Sequence, residues 1–424
     1  MAAVMTVSML SGCGKKDVEV TYTPGTYTST QTGMKEMTVK VTVSKNRITD
    51  IKVTHQETPG IGEPVAESMP EEILELQGLG VDVVTGATLT SNAILSGVED
   101  ALKQAGATED DIKALKNVKK SVKKEKDQTL SADVVVIGAG GAGMAAAVTA
   151  NQEGKSVIVI EKTSKMGGNT ILSGGAMNAV DDGSEVAKAN NDSVALHYEQ
   201  TLKGGDYQGK ESLVHILTDH AWDGVLWLKD LGMEFTGVVF TVTGGMWPRA
   251  KQPKEPEGTG FFKTYQGYLD SHDGITMVYN TTADSFLMEN GVVTGVVCTG
   301  KTGNTVTVKA NNGVVQATGG FGWNIEMREE ANKETNLWPT LDASIPSTNT
   351  SSITGDGIVM AKAIGASLIQ MGNIQLLPLG DPKTGSLSGN IEHAVESRIF
   401  VNLDGNRFVN EGGRRDEMAL GLFD

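Results

Sequence analysis

Cysteine is almost absent from this 424-residue chain, with only Cys13 and Cys298 present. A single pair cannot build a disulfide framework. Neither residue stands in a Cys-x-x-Cys-His haem-attachment pattern or a cysteine-rich iron–sulfur pattern. Aromatic residues are scarce at 5%, and 36 Lys and Arg face 52 Asp and Glu, a net charge of -16. That acidic balance argues against a nucleic-acid partner. No stretch is long and apolar enough to span a bilayer. What remains is a globular profile, 39% hydrophobic and 21% charged, with length for about two or three domains. Glycine is plentiful at 52 residues, which suits an α/β protein with tight phosphate-binding turns.

The apolar run Ala2 to Leu10 is too short to cross a membrane. It ends in Leu10-Ser11-Gly12-Cys13, followed by the polar Gly14, Lys15 and Lys16. This resembles the lipobox of bacterial lipoproteins, in which the cysteine is lipidated and becomes the mature N-terminus. The resemblance implies lipidation at Cys13, with residues 1–16 as signal and tether, on the extracytoplasmic face of the cell membrane. The alternative is an apolar terminus with a chance cysteine. No Lys or Arg precedes the run, so a truncated or misassigned start is expected.

Residues 17–107 read as one small α+β domain. Met37 to Val43 alternates as a strand does, and Ile48 to Val53 follows after the turn at Lys45-Asn46-Arg47. Helices are expected near Pro70–Gln77 and Ser91–Gln104. Residues 108–130 read as a solvated, partly helical linker, because seven lysines from Lys113 to Lys126 stand among few apolar residues. Contact of those lysines with anionic lipid is the alternative. From Ser131 onward the pattern is β-α-β. No internal repeat is present.

Asp82-Val83-Val84-Thr85-Gly86-Ala87-Thr88 precedes the second helix, with Ser91 as its expected N-cap. Gly86 and Ala87 are small enough for a bulky nucleotide to approach the Thr88 hydroxyl, and a helix start offers free amides to phosphate. The segment resembles the covalent-FMN motif of FMN-binding domains. The resemblance implies that a flavin transferase esterifies Thr88 to FMN phosphate, with Asp82 fixing the loop or the transferase's metal. With no haem or cluster ligands, electrons would travel on flavins.

Asp133 to Ile137 is a buried-strand run leading into Gly138-Ala139-Gly140-Gly141-Ala142-Gly143 and a small-residue helix. A second strand, Ser156 to Ile160, ends at Glu161, about 20 residues past the glycines, where an acid accepts ribose hydroxyls. Gly138, Gly140 and Gly143 would let backbone approach a pyrophosphate at the helix N-terminus. Lys165 to Thr170, Ser173 to Ala179, Ala317 to Gly322 and Thr354 to Gly357 follow in the order found in the fumarate reductase flavoprotein family, which residues 131–424 resemble. The resemblance implies a doubly wound, Rossmann-like FAD domain over 131–371 and the start of a substrate clamp domain over 372–424. It also implies FAD contacts from Glu161, Lys162, Gly167, Gly168, Asn169, Thr170, Gly174, Gly175, Ala283, Thr318, Gly319, Gly320 and Asp356. Cys298, in the run Val296-Val297-Cys298, reads as a buried structural thiol.

Asn406 to Glu411 followed by Arg415-Asp416 resembles the family's catalytic segment. It implies that Arg415 protonates one carbon of an activated double bond while reduced flavin gives hydride to the other. A surface pair, Arg414 and Arg415, is the bland alternative. Where fumarate reductases carry a carboxylate-binding histidine, this chain has Leu377. Their relay positions are expected at His393 and Glu396, although His393 suits a surface position equally. The expected substrate is therefore an α,β-unsaturated acid with an apolar or aromatic tail rather than fumarate. The family's return segment to the FAD domain does not follow Asp424, so a fragment truncated at both ends is expected. The parent would be an extracytoplasmic FAD-dependent reductase of C=C bonds, fed by a membrane electron donor through FMN. Two alternatives stay open, a dehydrogenase acting oxidatively and a non-catalytic electron carrier. No metal is expected.

Overall fold

A computed structural model describes residues 18–120, 123–245, 247–378, 380–386 and 399–423. The fold divides into two compact units, Met1–Val122 and Lys123–Asp424.

In the first unit β1 (Gly25–Thr32), β2 (Glu36–Val43) and β3 (Ile48–Thr54) form an antiparallel meander. Met37, Val39, Val41 and Val43 of β2 alternate with polar residues and are all buried, as a sheet covered on one face requires. Helices α1 (Glu63–Leu76), α2 (Thr88–Gln104) and α3 (Glu109–Lys116) follow. Helix α2 covers the sheet with Ile94, Val98, Ala101 and Leu102. Gly97 allows the close approach, since a Cβ there would stand 2.5 Å from Val39 Cγ2. Burying a large apolar side chain of this kind contributes about 1.5–3 kcal/mol.

Three features of this unit differ from the sequence reading. Helix α1 starts at Glu63 rather than near Pro70, because Pro64 occupies its first turn, where a missing N–H costs nothing. Helix α2 starts at Thr88, so Ser91 is not its cap. Instead Ser91 Oγ donates to the Ala87 carbonyl (2.9 Å) and accepts the Val84 N–H (3.1 Å). Residues 109–116 are helical as expected but not merely solvated: a capping box of Thr108 and Asp111 starts α3, which buries Ile112 and Leu115. The linker's other end is also ordered, since β4 begins at Gln128.

The second unit opens with the expected β-α-β element, β4 (Gln128–Ile137), α4 (Gly141–Gln152) and β5 (Val157–Ile160). An excursion follows through β6 (Met177–Asn178), α5 (Glu185–Ala189), α6 (Val194–Gly204), α7 (Glu211–Asp230), β7 (Phe235–Phe240), β8 (Ala250–Pro253) and α8 (Thr259–Ser271). Its strands form a small sheet, β6-β8-β7. The chain then adds β9 (Ile275–Val278), β10 (Thr282–Glu289), β11 (Val292–Thr299) and β12 (Thr305–Gln316) to the main sheet. Strand order there is β10-β11-β12-β4-β5-β9, parallel from β12 to β9 and antiparallel at the β10–β11 edge. This is the expected mixed α/β, Rossmann-like architecture. Helices α9 (Ile325–Thr335), α10 (Asp356–Ala363) and α11 (Arg415–Leu420) complete the unit.

The main core joins Val135, Ile137, Ile158 and Ile160 to Val296, Val306 and Val308. Cys298 lies in it, 1% exposed, and burial pushes its thiol pKa up to about 12. A second cluster of Trp338, Leu341 and Ala419, with Ile374, Leu376 and Phe423 against it, joins α11 to the segment around Ile374 in this unit. Among the described residues no helix is long and apolar enough to cross a membrane.

Candidate active site

Thr88 is the first residue of α2 and is exposed, so its hydroxyl stands at a helix N-terminus, where a phosphate is favoured. Gly86 adopts φ +84°, and nothing lies within 4 Å of the position its Cβ would take. Asp82 is exposed, with Lys119 Nζ 3.6 Å from its carboxylate. Beneath the loop sits Glu57, which no motif marked. Its buried carboxylate accepts the Thr90 hydroxyl (2.5 Å) and the Met34 N–H (3.1 Å), bracing the first turn of α2.

In the second unit the β4–α4 turn builds the cradle. Gly138 adopts φ +101°, and a Cβ on it would meet the Ala317 carbonyl oxygen at 2.5 Å. A Cβ on Gly143 would stand 1.8 Å from the Gly138 oxygen, so α4 starts hard against the turn. Gly140 differs, because nothing lies within 4 Å of its missing Cβ. The bare backbone there opens into a cavity of about 230 Å³, at the N-terminus of α4, as a pyrophosphate would need. Glu161 is buried at the end of β5. Its two oxygens accept the Ala139 N–H (2.8 Å) and the Thr163 N–H (2.8 Å), which fixes the carboxylate at the cavity wall. These residues fit the adenosine and pyrophosphate part of FAD.

Gly138, Gly140, Glu161, Lys162, Gly168 and Asn169 line this one cavity, as do Thr170, Ala283, Thr318, Gly319 and Asp356. Lys162 pairs with Asp356 and donates to Thr354 Oγ1 (3.1 Å), joining the end of β5 to the start of α10. Burial works to raise the Asp356 pKa, but hydrogen bonds from Lys162 and Thr354 and the Lys162 charge outweigh it and hold the carboxyl below its usual range. Gly143, Gly167, Gly174, Gly175 and Gly320 do not line the cavity. Gly175 (φ +77°) is a packing glycine, since a Cβ would meet the Glu257 carbonyl oxygen at 2.1 Å.

Arg415 lies in a different and larger cavity of about 760 Å³. Its Nε donates to the Thr243 carbonyl at 2.7 Å. Its side chain crosses Gly244 (φ +75°), where a Cβ would stand 2.4 Å from Arg415 Cγ. The same cavity is lined by Arg249, whose Nη2 donates to Asp192 Oδ1 (2.7 Å) and Gln200 Oε1 (2.7 Å) while Nε donates to Asp192 Oδ2 (3.2 Å). This pair is 5% and 3% exposed. His197 beside it is held neutral. Burial first, then the Arg249 charge, push its pKa down to about 4 against the opposing pull of Asp192.

A third cavity, about 250 Å³, adjoins both sites and is lined by Leu341, Ile345, Leu376, Leu377, Pro378 and Phe423. It shares Ile374 and Gln375 with the Arg415 cavity. Asn349 on its wall accepts an N–H from Asn169 of the cradle (2.5 Å). Cys13, His393 and Glu396 lie outside the described residues.

Residues 133–421 match the FAD binding domain family, and residues 33–103 match the FMN-binding domain family. An NADH:acrylate oxidoreductase of Vibrio harveyi is 33% identical over 96% of this chain and 46% of its own length. A urocanate reductase of Eggerthella lenta is 36% identical over 91% of this chain and 63% of its own. The open conformation of a flavocytochrome c3 fumarate reductase superposes with TM-score 0.57 at 31% identity, covering 70% of this chain and 51% of that one. The chain thus spans about half the length of the curated relatives it matches.

Proposed function

Because the chain belongs to the FAD binding domain family and carries an FMN-binding domain before it, we propose that the protein is a flavin-dependent reductase of α,β-unsaturated carboxylates. Relatives named for reducing acrylate, urocanate and fumarate support this reading. Bound FAD, reduced through FMN esterified to Thr88, would supply the hydride for one carbon of the double bond. Arg415 gives a guanidinium proton to the other carbon. The single observation that carries this role is the seating of Arg415 across Gly244, with its Nε bonded to the Thr243 carbonyl. That arrangement orients the guanidinium in a cavity large enough for a substrate. General-acid groups positioned in this way contribute about 10²–10⁴-fold.

The substrate carries one carboxylate and an apolar tail. Leu376 and Leu377 on the wall of the third cavity support the apolar tail, and Arg328 on the same wall is already bonded to the carbonyls of Gly322, Leu341, Asp342 and Ile345. Fumarate, charged at both ends, would meet Leu377 on that wall, where the fumarate reductases carry a histidine. The run ending in Cys13 supports a lipid anchor on the extracytoplasmic face, with electrons from a membrane donor and Thr88 loaded by a flavin transferase. The test is oxidation of reduced viologen by the intact flavinylated protein with fumarate, urocanate, cinnamates and bulkier enoates. Rapid turnover of a bulky enoate, well above fumarate, is the expected result. No turnover of any member, with both flavins bound and reducible, would move the assignment to an oxidative dehydrogenase or an electron carrier.

A further inference from the structure

The residue before the proposed acid is also an arginine, and it is committed to a different task. Arg414 Nη1 donates to Asp206 Oδ1 at 2.6 Å. Its Nε and Nη2 donate to the two oxygens of Asp416 at 2.9 and 2.6 Å. Its own N–H is accepted by Glu417 at 3.0 Å, which starts α11. One side chain thereby ties the α11 start to the connection between α6 and α7, far away in sequence. That connection is conformationally demanding, because consecutive non-glycine residues Asp206 and Tyr207 both have positive φ, 52° and 58°. A left-handed pair of this kind persists only where the surroundings fix it. Arg414, Arg415, Asp206 and Asp416 all line the same cavity.

We infer that Arg414 is a positioning residue: its bridge between Asp206 and Asp416 holds the backbone from which Arg415 reaches over Gly244. This rests on Arg415 being the proton donor. The bridge is bidentate on Asp416, so the planar fork fixes an orientation that a lysine would not. A shift of the α11 start by about 1 Å would misalign Arg415 and cost about 100-fold in rate.

The test compares wild type, Arg414→Ala, Arg414→Lys, Asp206→Asn and the Arg414→Ala/Asp206→Asn double variant in the intact flavinylated protein. Hydrogen exchange at residues 204–209 and 412–420 is read beside kcat and KM. The expected result is exchange at least about tenfold faster in both segments for Arg414→Ala, with exchange elsewhere unchanged. With it goes a fall in kcat of about 10–100-fold at nearly constant KM. Asp206→Asn should reproduce part of both effects, the double variant should be no worse than Arg414→Ala, and Arg414→Lys should be intermediate. Unchanged exchange in either segment overturns the bridge. Faster exchange with unchanged kcat overturns the positioning role. A wild type that turns over no enoate sinks the reductase reading instead, and the bridge then stands or falls on exchange alone.

Discussion

A Cβ on Gly143 would stand 1.8 Å from the carbonyl oxygen of Gly138, so the first turn of α4 and the strand end before it are in contact through bare backbone. Gly143→Ala must push those backbones apart. It should destabilise the second unit by about 1–3 kcal/mol or more, read as a lower urea midpoint without bound flavin. An unchanged midpoint would mean that the turn is not packed in this way.

Gly140, three residues earlier, makes the opposite prediction. Its φ is an ordinary −78° and its Cβ direction is open, so Gly140→Val should fold normally. The added side chain would occupy the space offered to the pyrophosphate. FAD affinity should fall more than about tenfold, or about 1.4 kcal/mol, measured by flavin titration. Equal affinity would remove this cavity as the cofactor site.

The cradle was legible in the sequence because its parts lie in one β-α-β stretch, where glycine spacing and the terminal acid report on each other. Arg415 was named from the sequence too, but the rest of its cavity was not. Arg249, on its wall, and the partner Asp192 are 57 residues apart, so neither leaves a local signature. The lysine-rich stretch was read rightly as partly helical and wrongly as solvated for a related reason. Its charges outnumber Ile112 and Leu115, yet those two side chains, three apart on one helical face, decide that α3 packs. At Thr88 the motif located the loop, while the Ser91 cap failed because its hydroxyl serves Ala87 and Val84.

Exposed Thr88 should be dispensable to the fold. Thr88→Val, expressed with a flavin transferase, should abolish the covalent flavin, seen as loss of in-gel fluorescence and of the FMN mass increment. Stability of the first unit should change by no more than about 0.5 kcal/mol. Retained covalent flavin would place the attachment elsewhere.

Asp192 should matter to stability rather than loading. Its removal leaves the Arg249 guanidinium buried with Gln200 as its remaining neighbour in that cluster. Asp192→Ala should cost about 3–5 kcal/mol in denaturant unfolding. A cost below about 1 kcal/mol would show that water reaches the pair.

His197 supplies a pH dependence. Its folded pKa, about 4, lies below its ordinary 6.5, so the unfolded chain takes up the proton first as pH falls. The stability from its neutral burial is full above pH 6.5 and is lost toward pH 4, about 3 kcal/mol in all. Relative to His197→Gln, the wild type should lose that amount between pH 7 and pH 4. Parallel pH profiles for the two proteins would contradict a neutral, buried imidazole.

Steady-state comparison of Arg415→Ala and Arg415→Lys with wild type decides whether Arg415 is the proton donor of an enoate reductase. On an enoate that the wild type reduces, kcat should fall by at least about 10²–10⁴-fold in Arg415→Ala. Both flavins should remain bound and reducible at the wild-type level. Turnover within a few fold of wild type in Arg415→Ala would exclude Arg415 as the proton donor and leave it as a structural residue of the cavity wall.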